Sequence, residues 1–101
     1  NGRTCGAYLE LAPGCFIEIF ETGQVQQSST HGIAHFCLET DDIDGFVAQC
    51  AAKKIPVTQK KRGCDNTWQV WLKDPDGNNF EVHQYTEQSS QKNGKSVEVD
   101  W

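Results

Sequence analysis

The sequence predicts an α+β fold built around a β-α-β-β-β unit over residues 33–86, preceded by a hairpin that matches the last two strands of a similar unit. Three observations lead there. Short stretches with period-two alternation recur at 7–11, 16–21, 33–39, 68–73 and 79–85. One amphipathic stripe, Ile43, Phe46, Val47, Cys50 and Ala51, lies between the third and fourth of them. Pro/Gly and Asp/Gly turns join the strands within each pair. At 101 residues the chain has room for one core.

Ala7 to Leu11 reads as a strand, and Pro13-Gly14 gives the turn that returns the chain along Phe16 to Glu21. Residues 1–21 thus read as the C-terminal hairpin of an incomplete first unit. Residues 22–32, rich in Gln and Ser, read as a linker. Ile33 to Glu39 is the next strand. Thr40-Asp41-Asp42 offers N-cap candidates for the helix that follows. Lys53 and Lys54 favour its C-terminal end, and Pro56 stops it. Val57 to Gln59 is a candidate short strand, Arg62 to Thr67 a polar loop, and Trp68 to Lys73 a strand rich in aromatic and branched residues. Asp74-Pro75-Asp76-Gly77-Asn78 is a strong turn before the last strand, Asn79 to Tyr85. Residues 87–101 read as a polar, mobile tail, whose end, Val97 to Trp101, alternates with period two and reads either as a short edge strand or as a disordered tip with accidental alternation. The chain contains no Met, even at position 1, so we expect a processed or incomplete N-terminus.

Net charge is −5, which argues against a nucleic-acid partner, since such surfaces are basic. The one basic run, Lys60-Lys61-Arg62, reads as a solvated loop or as a grip on an anionic substrate group. No apolar run approaches the roughly 20 residues of a membrane span. The five cysteines are odd in number and contain no C-x-x-C pair, so we expect free thiols and a reducing, cytoplasmic compartment.

Alternation sorts the strand residues into two faces. Ala34/Phe36/Leu38, Phe80/Val82 and Ile17/Ile19 form apolar rows that a helix could cover. Glu18, His35 and Glu81 then fall on the opposite face. If that face curls, they converge, and a divalent cation would compensate carboxylates gathered there. Polar residues on the wet face of a half-covered sheet would give the same pattern, and alternation alone leaves both readings open. The mixed oxygen and nitrogen set suits Zn, Mn, Fe, Ni or Co without choosing among them. His83 shares the face of Glu81 and is either a substitute ligand or a hydrogen-bonded lining residue. Tyr85, Cys37 and Trp68 or Trp71 are candidates either to line a pocket or simply to pack. His31, in the linker, reads as an exposed loop histidine.

The run Gly32-Ile33-Ala34-His35-Phe36, the helix start Asp41-Asp42-Ile43-Asp44 and the segment Asp74-Pro75-Asp76-Gly77-Asn78-Asn79-Phe80-Glu81-Val82 resemble the vicinal oxygen chelate superfamily. That group includes glyoxalase I, the bleomycin-resistance proteins, the extradiol dioxygenases and the fosfomycin-resistance thiol transferases. The resemblance implies paired βαβββ modules whose mixed sheets curl into a cup, often in a dimer. It implies that His35, Glu81 and Glu18 are metal ligands, from the first and last strands of the second module and the last strand of the first. A fourth ligand would come from a strand this chain does not contain. It further implies a divalent-metal-dependent lyase or isomerase of small molecules, similar to lactoylglutathione lyase, with Glu81 as the base. The alternatives are a metal-free drug- or antibiotic-binding protein and a fragment with no activity of its own. An extradiol dioxygenase ranks lower, because it calls for two histidines and one carboxylate around iron.

Overall fold

A computed structural model of the chain describes residues 5–21 and 33–98. Contacts divide the chain into two units, with the boundary between Ala34 and His35.

The first unit is a hairpin of β1 (Gly6–Ala12) and β2 (Cys15–Phe20). The strands are antiparallel, with Tyr8 opposite Glu18 and a register shift between Glu10 and Ala12. Gly14 takes φ 75° at the turn, a conformation that costs a residue without Cβ nothing. Its N–H donates to Glu10 Oε1 at 3.2 Å. Ile17 and Ile19 remain exposed, so this apolar row is not buried as the alternation suggested.

The second unit runs β3 (Phe36–Glu39), α1 (Ile43–Ala52), β4 (Lys61–Arg62), β5 (Trp68–Lys73), β6 (Asn79–Gln84) and α2 (Ser90–Asn93). Its four-stranded sheet has the order β3-β6-β5-β4. β3 is parallel to β6, and the other pairs are antiparallel. The sheet is therefore mixed, and the architecture is α+β. β3 begins at Phe36, later than the sequence suggests, and its first partner is Phe80. The short strand also moves, from Val57–Gln59 to Lys61–Arg62. Thr58 lies beside Trp71, donating its N–H to the Trp71 carbonyl at 3.0 Å, but regular pairing starts only at Lys61 and Gln69.

Asp42 caps α1, its Oδ1 accepting the Gly45 N–H at 3.0 Å. At the other end Lys54 turns to φ 56°, and Ile55 N–H donates back to the Cys50 carbonyl at 2.8 Å. The helix has thus ended before Pro56. The Asp74–Asn78 turn closes on the Asp74 carboxylate, which accepts the N–H groups of Asp76 and Asn78 at 3.0 and 2.8 Å. The Asn78 side-chain amide, donating to Asp74 Oδ2 at 2.9 Å, and then those backbone bonds hold the Asp74 pKa below its ordinary value.

The core is Ile43 from α1 against Val70 and Val82, with Phe46, Val47, Val57, Trp68, Leu72 and Phe80 packed around it. Phe36 and Leu38 were expected beneath the helix, but they are 48% and 52% exposed. The helix covers the β5–β6 centre of the sheet, and β3 lies at the edge. The segment read as a mobile tail carries α2, which is tied to the β4–β5 loop. Ser90 N–H donates to the Asp65 carbonyl at 3.0 Å, Gln91 Nε2 to Asp65 Oδ2 at 2.9 Å, and Thr67 Oγ1 to Ser89 Oγ at 2.9 Å. The candidate edge strand at Val97–Trp101 falls largely outside the described residues, and Val97 and Glu98 are not in a strand. Among the described residues, no helix is long and apolar enough to cross a membrane.

Candidate metal centre

Val82 enters the core, so its neighbours Glu81 and His83 on β6 emerge on the sheet face away from α1. The parallel register sets Cys37 of β3 directly beside Glu81. His35, two residues before Cys37, and His83, two residues after Glu81, extend the same row. Across β5 the partner of Glu81 is Trp71.

The distances follow from this register. His35 Nε2 lies 3.6 Å from Glu81 Oε2. His83 Nδ1 lies 3.8 Å from Glu81 Oε1 and 3.0 Å from Cys37 Sγ. The carboxylate is therefore flanked by two imidazoles, one on each oxygen. Glu81 and His83 side chains are 16% and 13% exposed, and His35 is more open at 33%.

Burial pushes the pKa of both histidines below the ordinary value. For His83 the charges of Glu39 and Asp65 oppose that shift without reversing it. Both imidazoles therefore favour the neutral form, in which one ring nitrogen keeps a free lone pair. Ring packing orients them. Trp71 meets His35 edge-on at 4.5 Å between centroids, and Tyr85 lies 4.4 Å from His83.

The donor set fits a divalent ion. Ligand atoms around one tetrahedral zinc stand about 3.3–3.6 Å apart, given the usual ligand bond lengths. The His35–Glu81 separation matches that spacing. Cys37 Sγ, a Glu81 oxygen and a His83 nitrogen also lie within 4.8 Å of one another.

Of the residues singled out from sequence, His35 and Glu81 are brought together, with His83 beside them. Glu18 lies on the hairpin, opposite Tyr8. His31 lies outside the described residues. Trp71 and Tyr85 line the Glu81 face. Trp68 instead packs toward the core on the helix side, because its parity matches Val70. The basic run serves that side too: Lys60 Nζ bonds Asp44 Oδ1 at 2.7 Å and sits over the Trp68 ring at 4.7 Å. Sequence reading placed Cys37 on the correct face but did not identify it as a ligand. Its parity with His35 was the available signal. No disulfide joins any of the five cysteines.

Solved structures similar to the chain include lactoylglutathione lyase from Agrobacterium tumefaciens, 24% identical over 78% of this chain and 75% of that one, with a TM-score of 0.45. The fosfomycin resistance protein FosX from Listeria monocytogenes is 16% identical, covering 86% and 77%, with a TM-score of 0.45. TioX from Micromonospora sp. ML1 is 18% identical, covering 85% and 71%, also with a TM-score of 0.45. No curated protein matches the chain. Residues 9–82 match the family described as Glyoxalase/Bleomycin resistance protein/Dioxygenase superfamily. That span takes in most of the hairpin, most of the βαβββ unit and the His35–Glu81 pair, and by it the chain belongs to the glyoxalase/bleomycin resistance protein/dioxygenase superfamily.

Proposed function

We propose that the chain is a divalent-metal-dependent lyase or isomerase acting on a small, oxygen-rich molecule, in the manner of lactoylglutathione lyase. The observation that supports this reading is the 3.6 Å approach of His35 Nε2 to Glu81 Oε2 on the sheet face away from α1. His35 and Glu81 would hold the ion, with Glu18 as a further ligand on the strength of its match to the family pattern. The set suits Zn, Ni, Mn or Fe. A bound ion would supply Lewis-acid polarisation of a substrate oxygen.

Glu81 acts as the base, taking a proton from one substrate carbon and returning it to the neighbouring one. Trp71 fixes the His35 ring and offers the substrate an apolar wall. A homodimer is the proposed assembly, supported by the exposed Phe36 and Leu38 on the edge strand β3. Cysteines outside any disulfide support a cytoplasmic setting.

The test combines elemental analysis and native mass of the purified chain with turnover of α-oxoaldehyde–thiol adducts. The expected result is a bound divalent ion and a dimer, with ion and turnover both lost in Glu81→Gln. Wild-type protein that holds no ion after reconstitution would sink the enzyme reading. Metal-free protein that binds aromatic drugs would favour the binding alternative, for which the Trp71 and Tyr85 rings on the Glu81 face are the supporting observation.

A further inference from the structure

The face that carries the His35–Glu81 pair holds more ligand chemistry than that pair uses. Cys37 and Glu81 are register partners on adjacent parallel strands, and His83 follows Glu81 by two residues on the same face. Cys37 Sγ is 3.0 Å from His83 Nδ1, and that nitrogen is 3.8 Å from Glu81 Oε1. We propose that Cys37, Glu81 and His83 form a second, sulfur-containing metal site that selects Zn²⁺ over hard ions such as Mn²⁺. It goes beyond the lyase or isomerase reading, which rests on His35 and the other carboxylate oxygen.

The backbone sets the site up. β6 is paired on both sides, with β3 and with β5, so two of the three ligands stand on an interior strand. The third stands one hydrogen-bonded strand away. The Cys37–His83 and His83–Glu81 separations bracket the spacing of donors around one zinc, about 3.3–3.6 Å, and all three donor atoms lie within 4.8 Å of one another, so side-chain rotations bring the three onto a common centre. On binding, the Cys37 thiol gives its proton to solvent and the sulfur donates a lone pair to the ion. Thiolate and carboxylate together then neutralise the dication. A thiolate–imidazole–carboxylate set suits zinc, whereas manganese and magnesium prefer all-oxygen surroundings. Three protein ligands leave a fourth position for water or substrate, the arrangement of catalytic rather than closed structural zinc. Cys37 is exposed, which gives the ion a route in, and the Tyr85 ring against His83 holds the imidazole in place.

Cobalt(II) reports such a site by its colour. The fully reduced 101-residue chain is titrated with Co²⁺ and its absorption recorded. A thiolate-to-cobalt charge-transfer band in the near ultraviolet is expected, bleached by Zn²⁺ and insensitive to excess Mn²⁺. Cys37→Ser should abolish the band and His35→Ala should keep it. His83→Gln should weaken cobalt binding at least about 10-fold, since even outer-shell partners of a metal cost that much. A second measurement needs no variant: Zn²⁺ should protect Cys37 from iodoacetamide, read by peptide mass spectrometry. The proposal is overturned if wild type gives no band, if the band survives Cys37→Ser or disappears in His35→Ala, or if Cys37 labels equally with and without Zn²⁺. These readouts do not depend on turnover. Loss of the enzyme reading with the band intact, or loss of the band with turnover intact, therefore separates the two.

Discussion

Truncating Ile43 to alanine tests whether the βαβββ unit is held together at the contact between α1 and the sheet centre. Ile43 is 1% exposed and packs on Val70 and Val82, which are 0% and 3% exposed. The change removes three buried carbon groups, worth about 0.8 kcal/mol each in transfer, or about 2.4 kcal/mol together. The cavity left behind adds to this, since Ile→Ala losses in cores run about 2–5 kcal/mol. We expect about 3 kcal/mol for Ile43→Ala and about 1 kcal/mol for Ile43→Val. A small domain's whole stability is about 5–15 kcal/mol, so the alanine variant loses a large share of it. Urea unfolding followed by tryptophan fluorescence measures both, with the dependence on urea unchanged between variants. Ile43 meets the side of β6 opposite Glu81, so the folded alanine variant should keep the wild-type affinity for divalent ions. A loss below about 1 kcal/mol in Ile43→Ala would refute the assignment of Ile43 to the centre of the core. Weakened ion binding in the folded variant would refute the separation of the two faces.

Two further predictions concern the helix cap and pH. Asp42→Ala removes the acceptor for the Gly45 N–H and should cost about 1 kcal/mol in the same unfolding assay, with Asp42→Asn close to wild type. His83 and His35 have pKa values lowered on folding by burial. The unfolded chain therefore binds more protons than the folded one as pH falls below the ordinary histidine value of about 6.5, and stability declines from there down through the folded pKa values. Above that window the two histidines contribute no slope. Urea midpoints measured across the range should show the decline, and His83→Gln should flatten it; an unchanged slope would contradict the assignment of His83 as a buried neutral imidazole.

Much of the architecture was legible because local chemistry decides it. Alternation along 79–84 puts Val82 and Glu81 on opposite faces in any sheet. The Ile43-to-Ala51 stripe specifies a helix with one apolar side, and the Asp74–Asn78 turn forms from its own carboxylate and glycine. Even so, the short strand shifted from Val57–Gln59 to Lys61–Arg62, because pairing with β5 depends on where that strand's neighbours stand. Phe36 and Leu38 have the parity of core residues yet remain exposed, because the sheet order puts β3 at the edge, beyond the reach of α1.

The chain's own order of residues determined the faces: which side chains could meet a helix and which could meet an ion. Folding decided the neighbours. Side-chain direction repeats every two residues, so a slip of two along β3 would preserve every face while carrying Cys37 away from Glu81. Only the parallel register between β3 and β6, set by long-range hydrogen bonding, brings a thiol, a carboxylate and two imidazoles within reach of one another.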